Sequence, residues 1–427
     1  MRESFFLVVV IGAWMLGVSP GWGERGNWPG YRGPGDQGHA EAEGLVTEWG
    51  EGKNVRWKVA IPGKAWSSPV VWGERVWVTN APEEGTWGSV LCFDKNTGKK
   101  IHEKRLFRNP APQYCHPFNS YASPTPVVEE GRVYVSFGSP YNGCLDAATG
   151  EVIWERKDFV CNHFRGAGSS PLIYKNLFIL HFDGSDHQFV VGLDKETGRT
   201  VWRTERSVDF QDLDQATGKP KRDGDFRKAF STPVVMEAGG RDILLSQGSM
   251  AMYAYEPETG KEIWRVEKLG VHSGSTRPVT GHGLVFVPMG LGKSVLFAIR
   301  PDGEGVVSDT HVAWTHSRVV PGRPSLLLDG DLLFIVDDGG IAACLEAKTG
   351  NTVWKERIGG NFSASPMLAD GKIYLFDQDG KAIVIEAGRD FKKVAENELD
   401  AGCMASPAVS GDLLIVRTKT HLYGIGG

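Results

Sequence analysis

The sequence predicts an all-β fold, an eight-bladed propeller of four-stranded antiparallel blades, and three observations carry that prediction. A serine- or threonine-proline pair, or a worn version of one, opens a short apolar run eight times. The openings are Ser68-Pro69, Ser123-Pro124, Ser170-Pro171, Thr232-Pro233, Arg277-Pro278, Arg323-Pro324, Ser365-Pro366 and Ser406-Pro407. Five units then carry a D/E-x-x-T-G turn, ending at Gly98, Gly150, Gly198, Gly260 and Gly350. A tryptophan lies four residues beyond four of those glycines, at Trp154, Trp202, Trp264 and Trp354. A period of roughly 40 to 45 residues with four short strands per unit is the spacing of propeller blades.

Within one unit, residues 171–174, 177–182, 189–194 and 200–205 read as successive strands. The first lies nearest the axis, where eight strands crowd together, so Gly168, Ser169 and Ser170 are small for a steric reason. Proline can begin this strand because its missing N–H would face the channel rather than a ladder partner. The Asp194-Lys-Glu-Thr-Gly198 turn joins strands three and four; its acid accepts backbone N–H groups and its glycine tolerates a positive φ. The tryptophans are expected to pack against the next blade while each indole N–H finds a carbonyl. The charges beside them, as in Trp154-Glu-Arg-Lys157, keep the outer strands from pairing between molecules.

The last unit stops one strand short, whereas residues 55–59 resemble a fourth strand that lacks the preceding three. Joining them completes an eighth blade from both chain ends. Three segments follow: a leader over 1–23, whose apolar run and Gly21-Trp22-Gly23 suit export to the periplasm or outside the cell; a Gly/Pro-rich arm over 24–53; and one propeller domain over 54–427. The leader run is too short for a comfortable membrane span. No cysteine closely follows it, so a lipid anchor has no attachment point.

A net charge of −5 argues against broad nucleic-acid binding, which requires a basic surface, and any basic patch must be local. A single copy, not spanning the membrane once the leader is removed, is expected. Cys92, Cys144 and Cys344 occupy matching third-strand positions and read as small buried hydrophobes. Cys115 and Cys161 lie in consecutive connections, and a disulfide between them is an open alternative.

The Thr-Gly-x-x-x-Trp pattern resembles the tryptophan-docking repeat of pyrroloquinoline-quinone-type propellers. That family includes quinoprotein alcohol dehydrogenases and the propeller subunit of the outer-membrane β-barrel assembly machinery. The resemblance covers residues 54–427 and implies structural roles for Trp57, Trp154, Trp202, Trp264, Trp314 and Trp354. Asn27-Trp-Pro-Gly-Tyr-Arg-Gly-Pro34 also resembles the opening of an exported subfamily. There are departures. No Cys-Cys pair exists, although the quinone-binding dehydrogenases carry one, and His102 and Val394 stand where docking tryptophans are expected in blades one and seven.

Connections between blades should converge on one mouth. They carry His116, His163, Arg165, Arg227, Lys228, His272, Arg277, Arg323 and Asn361, a local concentration of cationic and imidazole groups. This set points to a binding scaffold whose mouth receives an anionic small molecule, glycan or peptide. The opposing reading pairs the arginines with acids on neighbouring turns, among them Asp183, Asp186, Asp337, Asp338, Asp377 and Asp379. His163 and His116 are candidate general bases beside charge stabilisers. No cofactor is assigned. The resemblance implies pyrroloquinoline quinone for the alternative of a quinone-dependent dehydrogenase, and a third alternative is an envelope assembly platform presenting aromatic loops such as Trp66, Trp87, Phe118 and Tyr121. No metal site is expected: His181 and His187 match no ligand spacing, and the acidic stretch around Asp212, Asp214 and Gly218 lacks the closing glutamate of a calcium loop.

Overall fold

The computed structural model describes residues 26–42 and 44–427; the expected leader lies outside them. Eight antiparallel sheets follow one another around an axis. Blades one to seven occupy residues 70–108, 127–156, 172–205, 234–267, 279–316, 327–357 and 367–398. Blade eight joins Ala408–Ser410, Leu413–Arg417 and His421–Ile425 to the N-terminal strand Val55–Ala60, which pairs antiparallel with His421–Ile425. Both chain ends therefore share one sheet, as the incomplete last repeat predicts. Two sheets gain a short parallel fifth strand, Gly305–Val306 on blade four and His39–Ala40 on blade seven.

The third-to-fourth-strand turns have the expected chemistry. Asp94 Oδ1 accepts the backbone N–H of Thr97 at 2.8 Å and the Thr97 hydroxyl at 2.7 Å, and Gly98 has φ +69°. Across six of the eight blade boundaries an indole N–H donates to a carbonyl at the next blade's turn, among them Trp57 to Lys95 O, Trp154 to Lys195 O and Trp264 to Pro301 O, all at 2.8 Å. Trp202, Trp314 and Trp354 do the same to Pro257, Ala347 and Gly388. The turn glycine lies under the ring, so that a Cβ on Gly198 would stand 2.6 Å from Trp154 Cε3. Glycine is thus required there by close approach as well as by backbone conformation. His102 takes the same role between blades one and two, with Nε2 3.0 Å from Ala148 O.

Blade seven corrects one expectation. Cross-strand register pairs Val384 with Ala395, the position that elsewhere pairs Cys344 with Trp354, so Ala395 rather than Val394 occupies the docking site. Blade eight offers no turn of this kind, because its fourth strand comes from the other end of the chain. The arm fills the seam: Trp49 stacks on Tyr374 and Phe376, and its backbone N–H donates to Asn397 Oδ1 at 2.9 Å.

Around the axis, the residue two before each first strand forms a ring. Ser68 N donates to Thr125 Oγ1, Thr125 N to Ser170 Oγ, and Ser170 N to Thr232 Oγ1, at 2.9 to 3.0 Å. Arg277 N continues to Ser325, Ser325 to Ser365, Ser365 to Ser406, and Ser406 back to Ser68. Each small residue is needed because its hydroxyl satisfies the neighbouring blade's backbone donor where no ladder partner exists. The ring moves two of the predicted openings by two residues: Thr125, not Ser123, is the member from blade two, and Ser325, not Arg323, from blade six.

The arm also crosses beneath this ring. Trp28 exchanges backbone hydrogen bonds with Val71 of blade one, and Pro29 O accepts Val128 N of blade two. On the far side the Tyr31 hydroxyl meets Ser365 Oγ at 2.8 Å, Arg32 donates to Leu326 O, and Gly38 O accepts Leu368 N. Eight blades alone would leave an open channel; the arm makes it blind at one end.

Candidate functional site

A first strand runs from the mouth toward the arm, so the connections that precede each one gather at the opposite end from the arm. They enclose an axial cavity of about 430 Å³ with Tyr31 at its floor, within the roughly 300–1,000 Å³ usual for ligand sites. Trp66, Phe118, Phe230, Leu291 and Met404 supply its apolar wall. Ser68, Thr125, Ser170, Thr232 and Ser406 of the axial ring line it as well.

Five of the sequence-predicted site residues line this cavity: His116, Arg165, Lys228, His272 and Arg323. Arg323 lies over the Phe118 ring, 4.1 Å from its centroid, and donates to Asp338 Oδ1 at 2.9 Å. Lys228 is buried and donates to the carboxylate and the carbonyl of Asp225. Arg165 stands 3.7 Å from the same carboxylate and stays about two-fifths exposed. The three cations therefore face two carboxylates, so the pairing expected in the opposing reading takes part of the charge but not all of it. His116 is held below its ordinary pKa by burial and then by Arg165, Lys64 and Arg323; its Nδ1 accepts Phe118 N at 3.2 Å. His272 is lowered likewise by burial and Lys228, and its Nδ1 is 2.8 Å from Ser273 Oγ. Both imidazoles are thus tied to loop structure.

The other four stand elsewhere. His163 is buried in the packing between blades two and three, where its Nε2 accepts Ser139 N at 2.9 Å. Burial pushes its pKa down to about 4, and it serves a loop rather than the mouth. Arg227 is turned away into a two-point pair with Asp212, at 2.9 and 2.6 Å. Arg277 is a ring member whose side chain points to the floor, donating to Pro233 O, to Tyr31 O and to Asp36 Oδ1. Asn361 is exposed, with its carbonyl accepting Gln378 N. Sequence spacing placed all four in or near the connections; what it could not give was the direction of each side chain.

Cys115 and Cys161 are free thiols, as are the other four cysteines, so the disulfide alternative falls. The acidic stretch of the long third connection contains a further D-x-x-T-G turn. Asp214 Oδ1 accepts Thr217 N at 2.9 Å, Gly218 N returns to Asp214 O, and Asp212 is occupied by Arg227. Near His181, Asp183 is buried in a two-point pair with Arg206 at 2.9 and 2.7 Å, while His181 Nε2 meets Ser246 Oγ. Among the described residues no group of three His, Cys, Asp or Glu is arranged to hold a metal ion.

The mouth does not suit a quinone tricarboxylate. Such a group needs several uncommitted cations, whereas Lys228 and Arg323 are engaged by Asp225 and Asp338. Sequence reading missed the ring residues and Tyr31 as lining; the ring alone has a legible signal, a serine or threonine just before the inner strand in seven of the eight blades.

Comparisons with known proteins agree with this architecture. A curated outer membrane protein assembly factor BamB from Shewanella oneidensis is 21% identical over 316 residues, covering 69% of this chain and 72% of the relative. A europium-containing methanol dehydrogenase structure superposes with TM-score 0.69 at 12% identity, covering 95% of this chain and 98% of the other. BamB from Moraxella catarrhalis superposes with TM-score 0.58 at 14% identity, covering 87% and 99%. Among the described residues no helix is long and apolar enough to cross a membrane, and the periplasmic or secreted location read from the leader accords with these relatives. The model of the family described as outer membrane protein assembly factor BamB matches residues 86–267 and 251–425, and the chain belongs to this family of pyrroloquinoline-quinone-type repeat propellers.

Proposed function

We propose that the protein is a non-catalytic interaction platform of the cell envelope that holds a segment of a partner protein in the mouth of its axial cavity. One observation carries this reading: a blind cavity walled by Trp66, Phe118, Phe230 and Leu291 has Arg165 at its opening, the mouth cation least engaged by acids. Aromatic walls beside an arginine are the composition of an interface core. The dehydrogenase alternative has less support, because His163, the base it would require, is buried away from the cavity against Ser139. An assembly role has a precedent in the relative from Shewanella oneidensis, whose name describes an outer membrane protein assembly factor.

A photo-crosslinking residue at Phe118 tests the platform, with one at Val201, exposed on the outer strand of blade three, as control. The expected result is a discrete adduct with an envelope protein from Phe118 and none from Val201, diminished by Arg165→Glu. Equal labelling from both positions would overturn the platform. So would quinone-dependent turnover of an alcohol or sugar by the purified protein.

A further inference from the structure

Five hydroxyl groups of the axial ring line the cavity: Ser68, Thr125, Ser170, Thr232 and Ser406. All are more than nine-tenths buried. Each oxygen accepts one backbone N–H from the adjacent blade. None donates its proton to an acceptor among the described residues, although a hydroxyl carries one donor in addition to its lone pairs. The ring therefore fixes the oxygens through their lone pairs and leaves a girdle of O–H donors around the neck of the cavity. Unanswered donors in a buried site call for an acceptor.

Two arginines stand on the arm side of the girdle. Arg277 is a member of the ring, and Tyr31, which floors the cavity, lies over its guanidinium with 6.0 Å to the ring centroid. Arg32, the next residue, is buried, and its Nε and Nη1 have no hydrogen-bond partner among the described residues. Of these two guanidiniums it is Arg277 that pairs with a carboxylate, Asp36 Oδ1 at 2.9 Å. Buried positive charge without compensation stabilises an anion placed nearby.

We infer that the hydroxyl girdle is a carboxylate-binding site, and that its ligand is a carboxylate on a slender neutral stem sheathed by Trp66, Phe118 and Phe230. This rests on the platform reading for its biological use but not for its chemistry. The carboxylate can come from the C-terminus of a polypeptide or from a free organic acid. Amide and alcohol analogues of the same shape lack the charge and the second strong acceptor, so the girdle should discriminate against them.

Calorimetric titration of the full chain with sodium hexanoate and with hexanamide tests the site. The expected result is saturable hexanoate binding and hexanamide binding at least about tenfold weaker, the scale of one charge-assisted hydrogen bond. Ser170→Ala combined with Thr232→Val should weaken hexanoate about tenfold, with thermal unfolding confirming that the variant is folded. If it does not fold, the comparison on the unmodified protein decides alone. Indistinguishable affinity for the acid and the amide, no hexanoate binding, or a folded double variant with undiminished affinity would each overturn the inference. An acetylated pentapeptide Ala-Gly-Ala-Gly-Leu with a free or an amidated terminus separates the sources. Tighter binding than hexanoate by the free form alone supports a polypeptide terminus, and hexanoate binding without peptide binding supports a free acid. A rim-specific crosslink without carboxylate binding sinks the girdle and leaves the platform standing, and the converse leaves the girdle alone.

Discussion

His163 Nε2 accepts the backbone N–H of Ser139 at 2.9 Å, so the ring must be neutral at that nitrogen for the loop between blades two and three to keep its shape. Burial lowers its pKa to about 4 from the ordinary 6.5. Below pH 6.5 the unfolded chain takes up a proton that the folded ring refuses. The stabilisation is complete above that value and is lost as pH falls toward 4, amounting to about 3 kcal/mol for this residue. His181, also lowered by burial, acts in the same direction. The denaturant midpoint should fall between pH 7 and pH 4.5, and His163→Gln should flatten part of that fall; identical profiles for the two proteins would refute the assignment.

Arg206 and Asp183 form a two-point ion pair with both side chains about 1% exposed. Removing one partner strands the other charge in the interior, whereas removing both does not. Asp183→Ala should cost about 3–5 kcal/mol, and Asp183→Leu with Arg206→Met should recover most of it. Urea unfolding of the single and double variants measures the coupling.

Gly131 and Gly198 have nearly the same φ, +73° and +71°, but only Gly198 lies under a tryptophan. Gly131→Ala should cost about 1–2 kcal/mol for backbone conformation alone. Gly198→Ala should cost more, because the methyl must displace Trp154. Equal losses in melting temperature would show that the indole yields without penalty.

Arg277→Ser would supply the missing hydroxyl of the axial ring and at the same time remove the arm's contacts at Tyr31 O and Asp36. The expected outcome is a folded propeller whose arm is cut by trypsin near Arg32 far faster than in the unmodified protein. Mass spectrometry of the digest gives the result. An arm that stays protected would show that Trp28, Pro29 and Trp49 hold it without Arg277.

Six free cysteines predict six thiols reactive in denaturant without prior reduction. In the folded protein at pH 8 they should react slowly: burial pushes Cys115 up to about 11 and Cys92, Cys144, Cys344 and Cys403 to about 12. Cys115, the least buried, should be alkylated first. A thiol count of four would restore the bridge to Cys161.

Much of the architecture was legible because it repeats. The turn at Asp94 to Gly98 and the indole of Trp154 are satisfied by contacts that recur at one spacing, and a local pattern read several times specifies the blade, the ring of blades and the shared last sheet. The mouth was legible only in part. His116, Arg165 and Arg323 line the cavity as the connections implied, yet Arg227 turns to Asp212 and His163 to Ser139.

By itself the sequence determined the kind of fold, the closure by residues 55–59 and the docking positions apart from that of blade seven, since those depend on periodicity and on residues close in the chain. Only tertiary structure decided that Tyr31 floors the channel, that Arg277 points down rather than outward, and that hydroxyls from consecutive blades form one girdle. The physical reason is distance along the chain. Tyr31 meets Ser365 across 334 residues, and no local pattern encodes which of many acids, carbonyls or hydroxyls a side chain will reach once eight sheets have closed around a common axis.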